Sequence, residues 1–253
     1  MGSRWGARVA AACFLATGSI VAISPQPIGA VTTTPAPPTI ASKGGHTCAV
    51  VTGGVVSCWG ENVNGELGDS TSANRNTPVV ARGLVGAASV GAGDHHSCAV
   101  TGAGLVYCWG QNTAGQLGDG TTSLRKVPTL VTGVSNAKQV SGGLSHTCAL
   151  LTNGRVACWG QNTYGQLGDG SNTSRSTFVE VQGITTAVWV STGNTFSCAA
   201  LSSGAVQCWG GNASGQLGNN DSTNTVTPVN VASLSTAVAV ASGTKSSCAT
   251  LND

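Results

Sequence analysis

The stretch Cys158-Trp159-Gly160-Gln161-Asn162-Thr163-Tyr164-Gly165-Gln166-Leu167-Gly168-Asp169 decides the fold, because it returns with few changes from positions 58, 108 and 208. Working outward from it, a first set of cysteines stands at 48, 98, 148, 198 and 248, and a second set at 58, 108, 158 and 208. No insertion or deletion disturbs the 50-residue register. A fixed period of this length means one supersecondary unit stacked several times. Cys158 and Trp159 are neighbours, so on a strand they point to opposite faces, and both are apolar. A unit with two apolar faces must be sandwiched between others. Small four-stranded sheets set face to face about an axis satisfy that demand. The expected fold is all-β: a β-propeller of four-stranded antiparallel blades, with four complete blades, a partial fifth and an incomplete ring.

The residues between paired cysteines read as a hairpin. In Cys148-Ala-Leu-Leu-Thr-Asn-Gly154-Arg-Val-Ala-Cys158, a glycine sits six residues after the first cysteine, as do Gly54, Gly104 and Gly204. A three-residue hairpin loop needs a left-handed residue last, and glycine meets that need. With Thr152, Asn153 and Gly154 as the loop, Cys148 falls opposite Cys158. If Leu151 and Arg155 form a hydrogen-bonded pair, 148/158 is a non-hydrogen-bonded one, with Cα atoms about 4.5 Å apart, inside disulfide range. Four cross-strand disulfides are therefore expected: Cys48–Cys58, Cys98–Cys108, Cys148–Cys158 and Cys198–Cys208. Strands are placed in the third unit near 138–142, 146–151, 155–160 and 178–182.

Two metal readings compete. His46, His96 and His146 each precede a cysteine by two residues, but Phe196 holds that place in the fourth unit. The spacing also lacks the close cysteine pair of a zinc site. The histidines are expected to hydrogen-bond inside their own units. Asp69, Asp119 and Asp169 invite calcium, yet Asn219 replaces the fourth. One carboxylate per unit falls short of a calcium shell. No metal or cofactor site is expected.

Residues 1–30 read as an export signal. Arg4 and Arg8 precede an apolar run from Val9 to Ile23, and Ile28-Gly29-Ala30 offers small residues for cleavage. The run is shorter than the ~20 residues a spanning helix needs, which leaves an uncleaved anchor as the alternative. Residues 31–38 form a Pro/Thr linker. The repeats occupy 39–253, with unit boundaries near 38–87, 88–137, 138–187, 188–237 and 238–253. The fifth hairpin has its first cysteine at Cys248 and the sequence stops at Asp253, inside its turn, so the chain reads as a fragment. The expected location is secreted, or at the cell surface if the signal is retained. No membrane segment is expected after it.

Charge narrows the function. The chain carries 11 Lys+Arg against 9 Asp+Glu, and only 8% of its residues are charged. Without Arg4 and Arg8 the two signs balance at 9 and 9. No basic cluster remains to track a phosphate backbone, which argues against nucleic acid. No nucleophile elbow, phosphate loop or His-Glu-x-x-His is present, so no enzyme is expected.

His146-Thr-Cys-Ala-Leu-Leu151, followed by Gly154-Arg-Val-Ala-Cys-Trp-Gly-Gln-Asn-Thr-Tyr-Gly-Gln-Leu-Gly-Asp169, resembles the repeat of the regulator-of-chromosome-condensation (RCC1-like) family, over roughly residues 38–253. That resemblance implies a propeller, commonly seven-bladed. It differs in the paired cysteines, which suit an exported branch. Guanine-nucleotide exchange is an alternative that rests on family transfer alone. The reading of the residues themselves is a secreted, non-catalytic binding module for a protein partner. Enzyme inhibition, or glycan and cell-surface adhesion, are the alternatives. Positions that vary between units mark the contact surface: Asp94, His95, Leu144, Tyr164 and Phe196.

Overall fold

The computed structural model describes residues 36, 37 and 39–252. The expected export signal and most of the Pro/Thr linker lie outside the described residues. Among the described residues eighteen strands follow one another without a helix, and no helix there is therefore long and apolar enough to cross a membrane. Blade one holds β1 (Ile40–Lys43), β2 (His46–Val51), β3 (Val55–Gly60) and β4 (Arg75–Val80). Blade two holds β5 (Ala87–Ala92), β6 (His96–Thr101), β7 (Val106–Gly110) and β8 (Arg125–Leu130). Blade three holds β9 (Ala137–Gly142), β10 (His146–Leu151), β11 (Val156–Gly160) and β12 (Arg175–Glu180). Blade four holds β13 (Ala187–Thr192), β14 (Phe196–Leu201), β15 (Val206–Gly210) and β16 (Thr225–Asn230). The pair β17 (Ala237–Ser242) and β18 (Ser247–Leu251) begins a fifth.

Each blade is an antiparallel meander with its strands in chain order, and the fifth sheet has two strands. First strands of successive blades lie against each other, β5 on β9, β9 on β13 and β13 on β17. The ring is not closed among the described residues.

The hairpin register is the one the glycine spacing dictates. Leu151 N–H donates to Arg155 O at 2.9 Å, and Leu150, Ala149 and Cys148 face Val156, Ala157 and Cys158. Gly154 carries the positive φ, 77°, that the last loop residue requires. Disulfides join Cys48–Cys58, Cys98–Cys108, Cys148–Cys158 and Cys198–Cys208, with Cα separations of 4.0–4.1 Å. One strand lies elsewhere than expected. The fourth strand of blade three runs over 175–180, not 178–182. Cys158 faces Val179 and Gly160 faces Arg175, so a bulge takes up the extra residues and carries the strand further back. Gly160, at φ 102°, bends the partner there.

Adjacent Cys and Trp do face opposite ways. Trp159 packs with Cys98, Cys108 and Leu117 of blade two. Cys148 and Cys158 pack on the other side with Leu167 and Trp209 of blade four. Trp109 meets Cys48, Cys58 and Leu67 in the same way. Each of these interfaces is thus an indole from one blade laid on a disulfide and a leucine from the one before. Trp109, Trp159 and Trp209 are fully buried, while Trp59 on the first blade is half-buried. Gly118 makes room for the ring: a Cβ there would lie 2.8 Å from Trp159 Nε1.

Non-reducing mass spectrometry of the purified chain should show eight hydrogens missing, one for each bridged cysteine, and alkylation should reach those sites only after reduction. Trp159→Ala should cost about 3–5 kcal/mol in urea unfolding, whereas Trp59→Ala should cost clearly less. Equal losses at the two positions would contradict the interface described.

Candidate partner-binding rim

Two kinds of connection share one end of the blades. A short loop joins the first strand to the second (residues 93–95 in blade two, 143–145 in blade three), and a long one joins the third to the fourth. His146 faces Gly160, so the start of β10 and the end of β11 open onto the same face. Gln161 N–H donates to Ser145 O at 2.8 Å and ties the two loops together.

The long loop is built round one asparagine. Asn112 is fully buried; its Oδ1 accepts from Leu117 N–H (3.0 Å), and its Nδ2 donates to Thr121 O (3.1 Å) and Ser123 O (3.0 Å). Asn162 and Asn212 do the same in their blades, and Asn62 differs only in donating to Thr71 Oγ1 in place of the first carbonyl. The aspartate seven residues on completes the turn. Asp119 Oδ1 accepts from Thr121 N–H and Oγ1, and Oδ2 accepts from Arg125 Nε, all at 2.8–2.9 Å. Burial alone would raise the pKa of the equivalent Asp69 carboxyl, but bonds from Thr71, Arg75 and Asn62 outweigh it and hold the pKa at about 2. These carboxylates therefore buckle the loop to the strand after it. Among the described residues no three His, Cys, Asp or Glu side chains are grouped to hold a metal ion.

The histidines do not bond within their own units; each reaches the next blade. His46 Nε2 lies 2.8 Å from Ser97 Oγ, His96 Nε2 2.8 Å from Thr147 Oγ1, and His146 Nε2 2.9 Å from Ser197 Oγ. Those hydroxyls donate onward to Glu66 O, Gln116 O and Gln166 O. The same carbonyls accept Trp109, Trp159 and Trp209 Nε1–H at 2.7–3.0 Å. Each hydroxyl has one proton and gives it away, so it accepts from a histidine protonated on Nε2. Nδ1 is left a buried lone pair with no partner. A second proton there would put a charge in a site closed to water, and burial accordingly lowers the pKa of His46 to about 4 and of both His96 and His146 to about 3.

The rim residues are distributed as follows. Asp94 and Leu144 are half-buried in consecutive short loops. Asp94 N–H donates to Gly143 O (3.0 Å) and Leu144 N–H to Asn194 O (3.1 Å), so the short loops hold each other in a row. His95 is half-buried, with Nε2 3.3 Å from Asp94 Oδ2 and Nδ1 3.8 Å from Glu66 Oε1. Tyr164 is 42% exposed in the long loop of blade three, where the other blades carry Asn64, Ala114 and Ser214. Phe196 corrects the expectation. It is fully buried in the core of blade four and offers no contact surface. It takes the histidine's place in the repeat, and a ring there belongs to the interface. Sequence reasoning passed over Glu66, buried beside His95. The signal was available, since Gln116, Gln166 and Gln216 stand at the equivalent positions.

Blades, hairpin bridges and a one-faced rim define a propeller-type repeat protein. The chain belongs to the RCC1-like domain family, whose model matches residues 5–249. Among solved structures it is similar to human WBSCR16, with 23% identity and a TM-score of 0.76 over 83% of this chain and 56% of that one. It is also similar to Prp20p of Saccharomyces cerevisiae, with 18% identity and a TM-score of 0.74 over 83% of this chain and 54% of that one. The likeness is one of fold, and the chain spans about half the length of these structures. Comparison with curated proteins gives no match.

The buried imidazoles set a pH dependence. In the unfolded chain these three histidines take up protons near pH ~6.5. Folded, they resist until about pH 4 and about pH 3. Their contribution is complete above about pH 6.5 and is lost as pH falls from there, at about 1.4 kcal/mol per pH unit for each histidine. The lowered Asp69, Asp119 and Asp169 carboxyls add a further loss below their ordinary range, near pH ~4. Urea midpoints should fall markedly between about pH 7.5 and 5.0; a flat profile across that interval would refute the assignment.

Proposed function

We propose that this chain is a secreted, non-catalytic binding module that presents its loop face to a protein partner. The observation that carries the reading is a division of labour within the repeat. Residues that recur from blade to blade are buried in interfaces and turns, whereas Asp94, His95, Leu144 and Tyr164, which differ from blade to blade, share one accessible end. Loops on a rigid scaffold are where binding residues concentrate. Four disulfides fit an oxidising compartment, in keeping with export. Prp20p, which shares this fold, binds Gsp1p and histones, so the same architecture serves elsewhere as a protein-binding platform.

Glycan adhesion is the second reading, and exposed Tyr164 is its one support, since an accessible aromatic ring can stack on a sugar. The two separate cleanly. Purified chain and an Asp94→Ala/His95→Ala/Tyr164→Ala variant should be used to capture proteins from the producing culture's medium and, in parallel, to probe a glycan array. A protein retained by the first and lost by the second is the expected outcome. Glycan capture that depends on Tyr164, without protein capture, would replace the proposal with the second reading.

A further inference from the structure

Position 43 breaks the repeat. Lys43 stands where the following units have Gly93, Gly143, Gly193 and Gly243. Three of those glycines are imposed by the ring three residues on: a Cβ would come within 2.1 Å of His96 Cε1 at Gly93, 2.2 Å of His146 Cε1 at Gly143 and 1.9 Å of Phe196 Cε1 at Gly193. A side chain at this place is therefore a departure the fold resists, and blade one uses it to carry an ammonium.

That ammonium leaves its own blade and passes blade two. Lys43 Nζ donates to Gly142 O at 3.1 Å and to Thr192 O at 2.9 Å. Those carbonyls belong to the last residues of β9 and β13, in blades three and four. Among the described residues, every other side-chain hydrogen bond between blades joins neighbours. A nearest-neighbour stack has no other side-chain tie of this reach, and its curvature otherwise accumulates from small rotations at each interface.

We propose that Lys43 is a cross-array latch: its charged ε-amine clamps the inner ends of blades three and four to blade one, fixes the curvature of the array, and releases when the amine loses its proton. Carbonyl oxygens bind an ammonium through charge-assisted hydrogen bonds and a neutral amine much less strongly. Burial lowers the pKa of this amine to about 8, against the pull of Asp94. The other titratable groups it acts on are His96 and His146, both neutral at that pH, as is His46 three residues along the chain. The release thus falls in a window where none of the surrounding groups changes charge. The latch also governs the spacing of the short loops that carry Asp94 and Leu144, which follow or adjoin the clamped residues.

The test is small-angle X-ray scattering on the full chain from about pH 7 to 9.5, for the wild type and for Lys43→Met, which keeps length and loses charge. The wild type should expand as pH rises through about 8 by about 5 per cent, on the order of 1 Å against roughly 18 Å for a compact chain of this size. Lys43→Met should already be expanded at neutral pH and should show no transition. Lys43→Arg, charged throughout, should show none either and stay compact. Wild type and Lys43→Met of equal radius at neutral pH would overturn the proposal. If Lys43→Met fails to fold, as judged by near-ultraviolet circular dichroism of the buried tryptophans, the wild-type series decides. An unchanged radius across the whole pH series would then overturn it.

Discussion

At each of the three interfaces between complete blades, one main-chain carbonyl gathers the buried polar contacts. Glu66 O, Gln116 O and Gln166 O each accept two donors from the following blade, an indole N–H and a hydroxyl. Both lone pairs are used, and the hydroxyl in turn accepts from the preceding blade's histidine. A buried carbonyl left without partners costs on the order of 1–3 kcal/mol. The Gly-Gln-Leu-Gly turn that presents this carbonyl, the tryptophan, and the Ser or Thr beside the first cysteine are therefore one device distributed over two repeats. The disulfide is the flat apolar plate on which the indole lies while its nitrogen finds the carbonyl.

This arrangement explains which features were legible in the sequence. A strand alternates its faces whatever its neighbours, so Cys158-Trp159 implied two buried faces, and two buried faces implied stacked sheets. Gly154 and its equivalents fixed the hairpin loop, and the loop fixed the cysteine register by counting alone. These inferences rest on covalent geometry and local turn chemistry, which a single unit contains. The fourth strand starts three residues before the expected place because a bulge beside Gly160 depends on pairing that no local pattern records. The histidines were assigned to the wrong unit for a related reason. Their partners lie 51 residues on, at nearly the repeat length, so the sequence offers a within-unit and a next-unit partner of the same type.

The candidate rim was readable only in part, and Phe196 shows why. Variation among repeats marks positions freed from the common packing, yet a position can vary because its packing has been rebuilt. Blade four has done this in several places: Phe196 for histidine, Asn219 for aspartate, Gly211 for glutamine or glutamate and Thr225 for arginine. The aspartate–arginine clasp disappears as a unit there, since neither partner is useful alone. Tyr164 varies without any such compensation. Its backbone N–H bonds to Gln166 Oε1, as Ala114 and Ser214 bond to Gln116 and Gln216, so the turn is unchanged and only the exposed side chain differs. A substitution that leaves its scaffold intact is free to serve recognition.

Blade one departs from the common pattern in a different sense, through charge. Glu61 and Glu66 replace the glutamines of blades two and three, and Lys43 replaces a glycine. In blade two Gln116 Nε2 donates to Gln111 Oε1 at 3.2 Å, a bond two carboxylates cannot make. Glu66 keeps the bond common to the blades, from Asn64 N–H at 2.9 Å, and adds one from Asn64 Nδ2 at 2.8 Å, with His95 Nδ1 3.8 Å away. Negative charge at the junction of blades one and two and positive charge at the inner end of β1 therefore appear together, in a chain with few charges overall. Asp94 links them, lying beside His95 on one side and exerting its pull on Lys43 on the other. The loop that carries the most distinctive rim residues is thus electrically joined to the side chain that reaches from blade one to blades three and four.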